Sequence, residues 1–237
     1  SANQKPLKAL AYAWKSRALL QINKTDLAGK AVDSAFMFVD ENKATRTFVN
    51  AAKANHLIRT GQETKAIPFL EHSIASNKQV MDTYRWKFLI AQLYRDTDQE
   101  EKAEHIFREL TNANVTFDMA FEAGLQAAYL KGSKLNNVIE QRIRPFRSML
   151  KEGKNEGYQD QILFEIGKIY LNANDEDHAM NFFQQSLQKN GKNVFQATDT
   201  YLTVADYFFS KQQYQKAQLY YDSTAAVLPP NYTDVNK

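Results

Sequence analysis

The side chains of this 237-residue chain best suited to move protons or hold a metal are its four histidines, and their placement argues against either task. His56, His72, His105 and His178 are scattered; no two stand at i, i+4 and none lies in a HExxH context. The run at residues 172–177, Asn-Ala-Asn-Asp-Glu-Asp, has carboxylates for calcium but lacks the central glycine and distal bidentate glutamate of a binding loop. It suits the start of a helix, where carboxylates accept from free amides and meet the positive dipole end. Glycine-rich phosphate loops, a GxSxG elbow and a Ser/His/Asp arrangement are missing, and no cysteine supplies a thiolate or a disulfide. No catalytic residue, metal site or cofactor is therefore expected, because an active site needs titratable groups gathered in one place. What remains is recognition chemistry: arginines, lysines and side-chain amides recurring at intervals, suited to charge-assisted hydrogen bonds with another polypeptide.

The elements that must position these groups are clearest at residues 84–110, which divide into two short amphipathic helices. Phe88, Ala91, Leu93 and Tyr94 line one side of the first, Asp96-Thr97-Asp98 interrupts, and Ala103, Ile106, Phe107 and Leu110 resume the pattern at i, i+3, i+4, i+7. Ala91, Tyr94, Ala103 and Phe107 match the tetratricopeptide (TPR) helix-turn-helix spacing. The two alanines stand where the helices cross and the two aromatics fill the space beside the crossing. Equivalents of Ala103 recur at Ala31, Ala66, Ala179 and Ala217, with steps of 35, 37, 76 and 38, the 76 being a double step filled by a degenerate unit. The expectation is an all-α fold, an α-α superhelix of about six TPR-like helix-turn-helix repeats.

Repeat one, residues 7–40, sets Trp14, Leu19 and Ile22 on its first helix and Ala31, Ala35 and Phe38 on its second. Repeat two, 45–77, turns at Thr60-Gly61-Gln62, where Gly61 accepts left-handed dihedrals, and carries Pro68 in the first turns of its second helix. Repeat four, 117–151, is the poorest: its first helix ends at Gly132, and Pro145 inside the second predicts a kink or break near Arg144. Residues 151–157, KEGKNEG, are the expected bend, dividing repeats one to four (1–152) from repeats five and six with a polar tail (158–237). Gly167 is the small crossing residue of repeat five, and Pro229 stops repeat six.

Thirty basic and 27 acidic residues are interspersed, giving a net charge of +3 and no concentrated stripe for nucleic acid. Arg142, Arg144, Arg147, Lys151 and Lys154 read as a solvated helix face. No apolar run approaches the ~20 residues of a membrane span. The start at Ser1-Ala2-Asn3, without methionine, reads as an excised piece of a longer protein. Stacked helix pairs present an inner wall lined by the first helix of each repeat. Counting from the crossing residues, the side chains expected to look into that groove are Asn55 and Arg59 in repeat two, and Arg85, Gln92 and Arg95 in repeat three. Lys168 and Asn172 follow in repeat five and Asp206 in repeat six; the Lys/Asn constellation that clamps a terminal carboxylate is not reproduced at these positions.

Three blocks go beyond generic repeat sequence: RWKFLIAQLYRDTDQEEKAEHIFREL (85–110) with FDMAFEA (117–123), YQDQILFEIGKIYL (158–171), and YQKAQLYYDSTAAVLPPNY (214–232). In them the chain resembles the PorW/SprE family, the TPR lipoproteins of the bacterial type IX secretion system. The resemblance covers about half the chain. It implies a periplasmic protein tethered to the outer membrane through a lipidated cysteine upstream of Ser1. The implied role is that of an accessory subunit linking the periplasmic ring and motor parts to the outer-membrane translocon, with other subunits of that envelope complex as partners. Two other readings stay open: the sensor or regulatory arm of a larger enzyme or transcription regulator, and an outer-membrane assembly lipoprotein.

Overall fold

The computed structural model describes residues 4–39, 41–77, 80–133, 138–189 and 193–228. Those residues form twelve α-helices and no strand: α1 Lys5–Gln21, α2 Thr25–Phe36, α3 Lys43–Arg59, α4 Glu63–Ser76, α5 Val80–Asp96, α6 Glu100–Thr111, α7 Phe117–Ser133, α8 Ile139–Leu150, α9 Gln159–Asn172, α10 Glu176–Lys189, α11 Val194–Ser210 and α12 Tyr214–Val227. Chain contacts divide into two compact units, Ser1–Ala127 and Ala128–Lys237. Both are built from the same helix pair, and the fold is all-α and TPR-like. Residues 190–192 and the tail from Pro229 onward, with its expected helix stop, lie outside the described residues.

One turn recurs along the chain. Asn23, Gly61, Asp98, Asn174 and Gln212 have φ between 55° and 68°, the left-handed region. Each follows the first helix of a pair. The amide of the next residue (Lys24, Gln62, Gln99, Asp175, Gln213) donates to the carbonyl five residues back (Leu19, Leu57, Tyr94, Tyr170, Phe208) at 2.7–3.0 Å. The left-handed residue itself donates to the carbonyl three back at 2.9–3.3 Å. This is the Schellman pair of bonds, which satisfies the last carbonyls of one helix before the next begins. The next helix then opens with the amides of Ala28, Ala66, Ala103, Ala179 and Ala217 donating four residues back at 3.0–3.2 Å.

That geometry corrects the register of the first repeat. Its anchor is Ala28, fully buried, and not Ala31, one turn further along the same face of α2. Trp14 and Ile22, set on the first helix by the sequence, are 56% and 61% exposed; the buried face of α1 is Ala9, Ala13, Ser16 and Leu20. In the degenerate fourth repeat the equivalent amide belongs to Arg142, donating to Val138 at 3.2 Å. The anchors 28, 66, 103, 142, 179 and 217 then step by 38, 37, 39, 37 and 38, more evenly than the alanines alone suggest. Because Arg142 cannot be the small partner, the close approach moves to α7: a Cβ on Gly132 would meet the Arg142 carbonyl oxygen at 2.9 Å.

Twelve residues before each anchor stand Ser16, Ala54, Ala91, Leu130, Gly167 and Ala205, all buried. Four residues after the anchors, Val32, Leu70, Phe107, Phe146 and Phe183 are at most 2% exposed and fill the centre of each pair. Phe107 meets Phe88 edge-on at 5.4 Å, and Phe183 lies 5.8 Å from Phe164. Seven after their anchors, Ser73 donates across the pair to the Thr47 carbonyl at 3.1 Å and Ser186 to that of Asp160 at 2.7 Å.

The break expected near Arg144 does not occur; α8 is assigned continuously through Pro145. Proline removes one amide from the ladder, and Ile143 and Phe146, both fully buried, hold the helix in place on either side. Residues 151–157, expected to be the bend, lie within the second unit, and Gly153–Tyr158 form a 3-10 helix there. Asn155 is buried in it and donates to the Met149 carbonyl at 2.9 Å.

Candidate functional site

In the first unit a cleft of about 990 Å³ runs across the first helices of repeats one to three. Its lining comes from the end of α1, the first three turns of α3 and the start of α5, with the end of α4 beneath. Leu70 and Ala52, both nearly fully buried, form the floor. Phe48, Trp86 and Leu89 are apolar walls, and Arg17, Lys43 and Arg85 stand against a single carboxylate, Asp82. The lining is therefore net positive.

These side chains are placed by the register of the repeat. Arg17, Asn55, Gln92, Lys168 and Asp206 each lie eleven residues before their anchor, one step beyond the small crossing residue, and so occupy the same position in their respective repeats. Arg17 holds that position in the first repeat: its guanidinium lies 4.6 Å from the Trp14 ring centre and 5.5 Å from that of Phe48, and the two rings are 4.8 Å apart. The exposure of Trp14 is thus the outer face of a cation–aromatic stack at the rim of the cleft. Arg85 has a side chain 67% exposed and only a long contact, 3.7 Å, with Asp82.

Of the groove candidates read from the sequence, Asn55 and Arg85 are brought together in this cleft. Arg59 is exposed at the end of α3, outside the lining, and Gln92 is half-buried on α5. Arg95 is occupied within the fold: Nη1 donates to Gln126 of α7 at 2.6 Å and Nε to Asp96 at 2.8 Å. Gln126 is held in turn by donating to Glu122 at 2.9 Å. In the second unit Lys168 pairs with Glu165 at 2.9 Å, its ammonium 5.2 Å from the Phe164 ring centre. Asp206 accepts from the Tyr221 hydroxyl of α12 at 2.7 Å, which holds that phenol above its ordinary pKa, and Asn172 is exposed. The acidic run acts as a cap: Asp175 accepts from the His178 amide at 3.3 Å and from its ring at 2.9 Å, which lowers the Asp175 pKa.

Arg17, Phe48, Lys43 and Trp86 were missed by counting from the alanine anchors. Arg17 escaped because the first repeat was read three residues out of register; counted from Ala28 it takes the place of Asn55. Asn23, a residue type that tolerates left-handed dihedrals, was the available signal.

Among the described residues no group of three or more His, Asp or Glu side chains is placed to hold a metal, and no helix is long and apolar enough to cross a membrane. Residues 160–192, which include all of α10 and nearly all of α9, match the family described as Tetratricopeptide repeat. No curated protein matches the chain. Among solved structures the chain is similar to the apo form of RapI, at 11% identity and a TM-score of 0.58, over 93% of this chain and 97% of that one. It is also similar to YrrB, described as a TPR protein with an unusual peptide-binding site, at 12% identity and TM-score 0.53, over 77% and 87% of the two chains. A third similar structure, MamA MSR-1 C2, gives 16% identity and TM-score 0.52 over 79% and 99%. At such identities the likeness is one of fold.

Proposed function

We propose that this chain is a non-catalytic protein-binding scaffold that serves as an accessory periplasmic subunit of the type IX secretion system. In this reading it links the ring and motor components to the outer-membrane translocon, and a lipid anchor upstream of these residues holds it at the periplasmic face of the outer membrane. The observation that carries the scaffold reading is the cleft crossing three first helices, with aromatic walls and under-neutralised cations, in an all-α chain of which residues 160–192 match the tetratricopeptide repeat family. Support for the secretion assignment is the resemblance in the blocks at 85–110, 158–171 and 214–232.

The test is affinity isolation of the tagged, full-length protein from envelope extract after mild crosslinking. Recovery of ring, motor or translocon subunits of the secretion system is the expected result. Recovery of barrel-assembly subunits alone, or of a fused enzyme or regulator domain acting without envelope partners, would overturn the secretion assignment.

A further inference from the structure

We infer that the cleft between α1, α3 and α5 takes an extended, acidic peptide segment that presents an aromatic side chain between its carboxylates. The inference rests on the protein-binding reading above and names the class of partner at that site.

Charge complementarity is the first argument. Arg17, Lys43 and Arg85 face the cleft against Asp82 alone, and the nearest Arg85–Asp82 approach is 3.7 Å with both side chains substantially exposed, too long and too wet to neutralise the arginine. A carboxylate brought into this lining gains charge-assisted hydrogen bonds from planar guanidinium forks without first displacing a strong internal partner of Arg85. The surrounding protein is close to neutral, with 30 basic and 27 acidic residues, so this local surplus is not a general basic surface.

The apolar half of the lining decides against a simple anion. Phe48, Trp86 and Leu89 stand between the cations above a floor of Leu70 and Ala52, so a segment offering charge alone would leave those walls wet. An aromatic side chain seated there would cover them, and a ring can stack on Trp86. Extended rather than helical backbone follows from the amides. Gln21 and Asn55 line the cleft with both donor and acceptor atoms. An extended chain has unsatisfied N–H and C=O groups that match such amides, whereas a helix has already paired its own.

The protein carries its own reporters for the test. Its two tryptophans are Trp86, which lines the cleft, and Trp14, stacked on Phe48 at the rim, so tryptophan emission reads this site. The full chain is titrated with an eight-residue peptide, blocked at both termini, in which three glutamates flank one phenylalanine within a glycine-serine background. Parallel titrations use the same peptide with glutamine for glutamate and with alanine for phenylalanine. The expected result is a saturable emission change with a dissociation constant on the order of 10–100 μM, weakening about tenfold in each control peptide. The variant combining Lys43→Glu with Arg85→Glu, both exposed positions, should lose affinity by about a further tenfold while its circular dichroism and urea midpoint stay at wild type.

No saturable change at millimolar peptide, or equal affinity for the glutamine peptide, would overturn the inference, and both readings need only the wild-type chain. An equal response to phosphatidylglycerol vesicles or single-stranded oligonucleotide would also overturn it, since the site would then recognise negative charge alone. Retention of the envelope partners by a double variant that no longer binds peptide would place the partner surface elsewhere, overturning the inference while leaving the scaffold reading intact.

Discussion

Gly167 offers the sharpest test of how the helix pairs are held. It lies in α9 twelve residues before Ala179, where other repeats carry Ala54, Ala91 or Ala205. A Cβ built there would meet the Phe183 ring at 2.7 Å from Cε1, 2.8 Å from Cδ1 and 3.2 Å from Cζ. Phe183 is 2% exposed and packs on Phe164 at 5.8 Å, so the ring has little room to withdraw. Two effects oppose each other in Gly167→Ala. Alanine in a helix interior is favoured over glycine by about 1 kcal/mol. Overpacking a full core costs about 1–3 kcal/mol. Steric cost wins, and the variant should be destabilised by up to about 2 kcal/mol. Phe183→Leu alone should cost about 1–1.5 kcal/mol. Combining the two removes the clash and keeps the helix gain, so the double variant should be more stable than the sum of the singles by about 1–2 kcal/mol.

Urea unfolding followed by circular dichroism measures all four proteins; tryptophan emission would not serve, because Trp14 and Trp86 both belong to the first unit. Repeat arrays can depart from two-state behaviour, so midpoints are compared only where the slopes agree. Gly167→Ala as stable as wild type or more so, or strict additivity in the double variant, would refute the claim that the Gly167–Phe183 approach sets the α9–α10 spacing.

Three further outcomes follow from the same geometry. Arg95→Ala should cost about 1 kcal/mol by urea titration, the charge-assisted bond to Gln126 being discounted for a side chain 31% exposed, whereas Arg59→Ala should stay within about 0.5 kcal/mol; equal effects would show that the link from α5 to α7 is idle. Gly61→Ala should lose about 1 kcal/mol although nothing stands within 4 Å of the added Cβ, because a left-handed φ of 68° penalises any L side chain by more than the unfolded-state entropy it saves; an unchanged midpoint would contradict this. His56 has its pKa lowered, chiefly by burial and then by Lys53, against the pull of Asp33 and Asp26. The unfolded chain then binds the proton more readily, so stability is full above pH ~6.5 and falls as pH drops through the folded pKa. His56→Gln should flatten that slope in urea midpoints measured from pH 8 to 5, and an identical profile would remove His56 as its source.

How much of this was legible in the sequence depends on what each feature is made of. The second, third, fifth and sixth anchors were readable because alanine is the residue the crossing requires, and buried Leu70, Phe107 and Phe183, four residues after the second, third and fifth, agree with the spacing. Arg142 was not readable as an anchor: the fourth repeat keeps the backbone bond to Val138 but moves the small residue to Gly132 on the other helix, so a search for small anchors finds a gap. Ala31 misled for the opposite reason, being small, helical and buried one turn from the true anchor. In the first repeat the left-handed turn at Asn23 carries more information than the side chains that follow it, because two backbone bonds fix its place to the residue.

Misplacing Ala28 by one turn also hid the candidate site. With the first repeat out of register, Trp14 is placed on the first helix without a face and Arg17 has no position in the groove. In the structure the two form the rim of the cleft. Arg95 shows the complementary error: counting positions along α5 placed it in the groove but could not reveal that Gln126, thirty-one residues later, already holds its guanidinium. Spacing along one helix identifies which side chains share a face. Whether such a side chain is available to a partner depends on the neighbouring helix, and for Arg85 the neighbour leaves it free where for Arg95 it does not. Around the cleft of the first unit, Arg17 stacks on Trp14 and Phe48 and Arg85 keeps only its long contact with Asp82, so position in the repeat and the neighbouring side chains have to be read together.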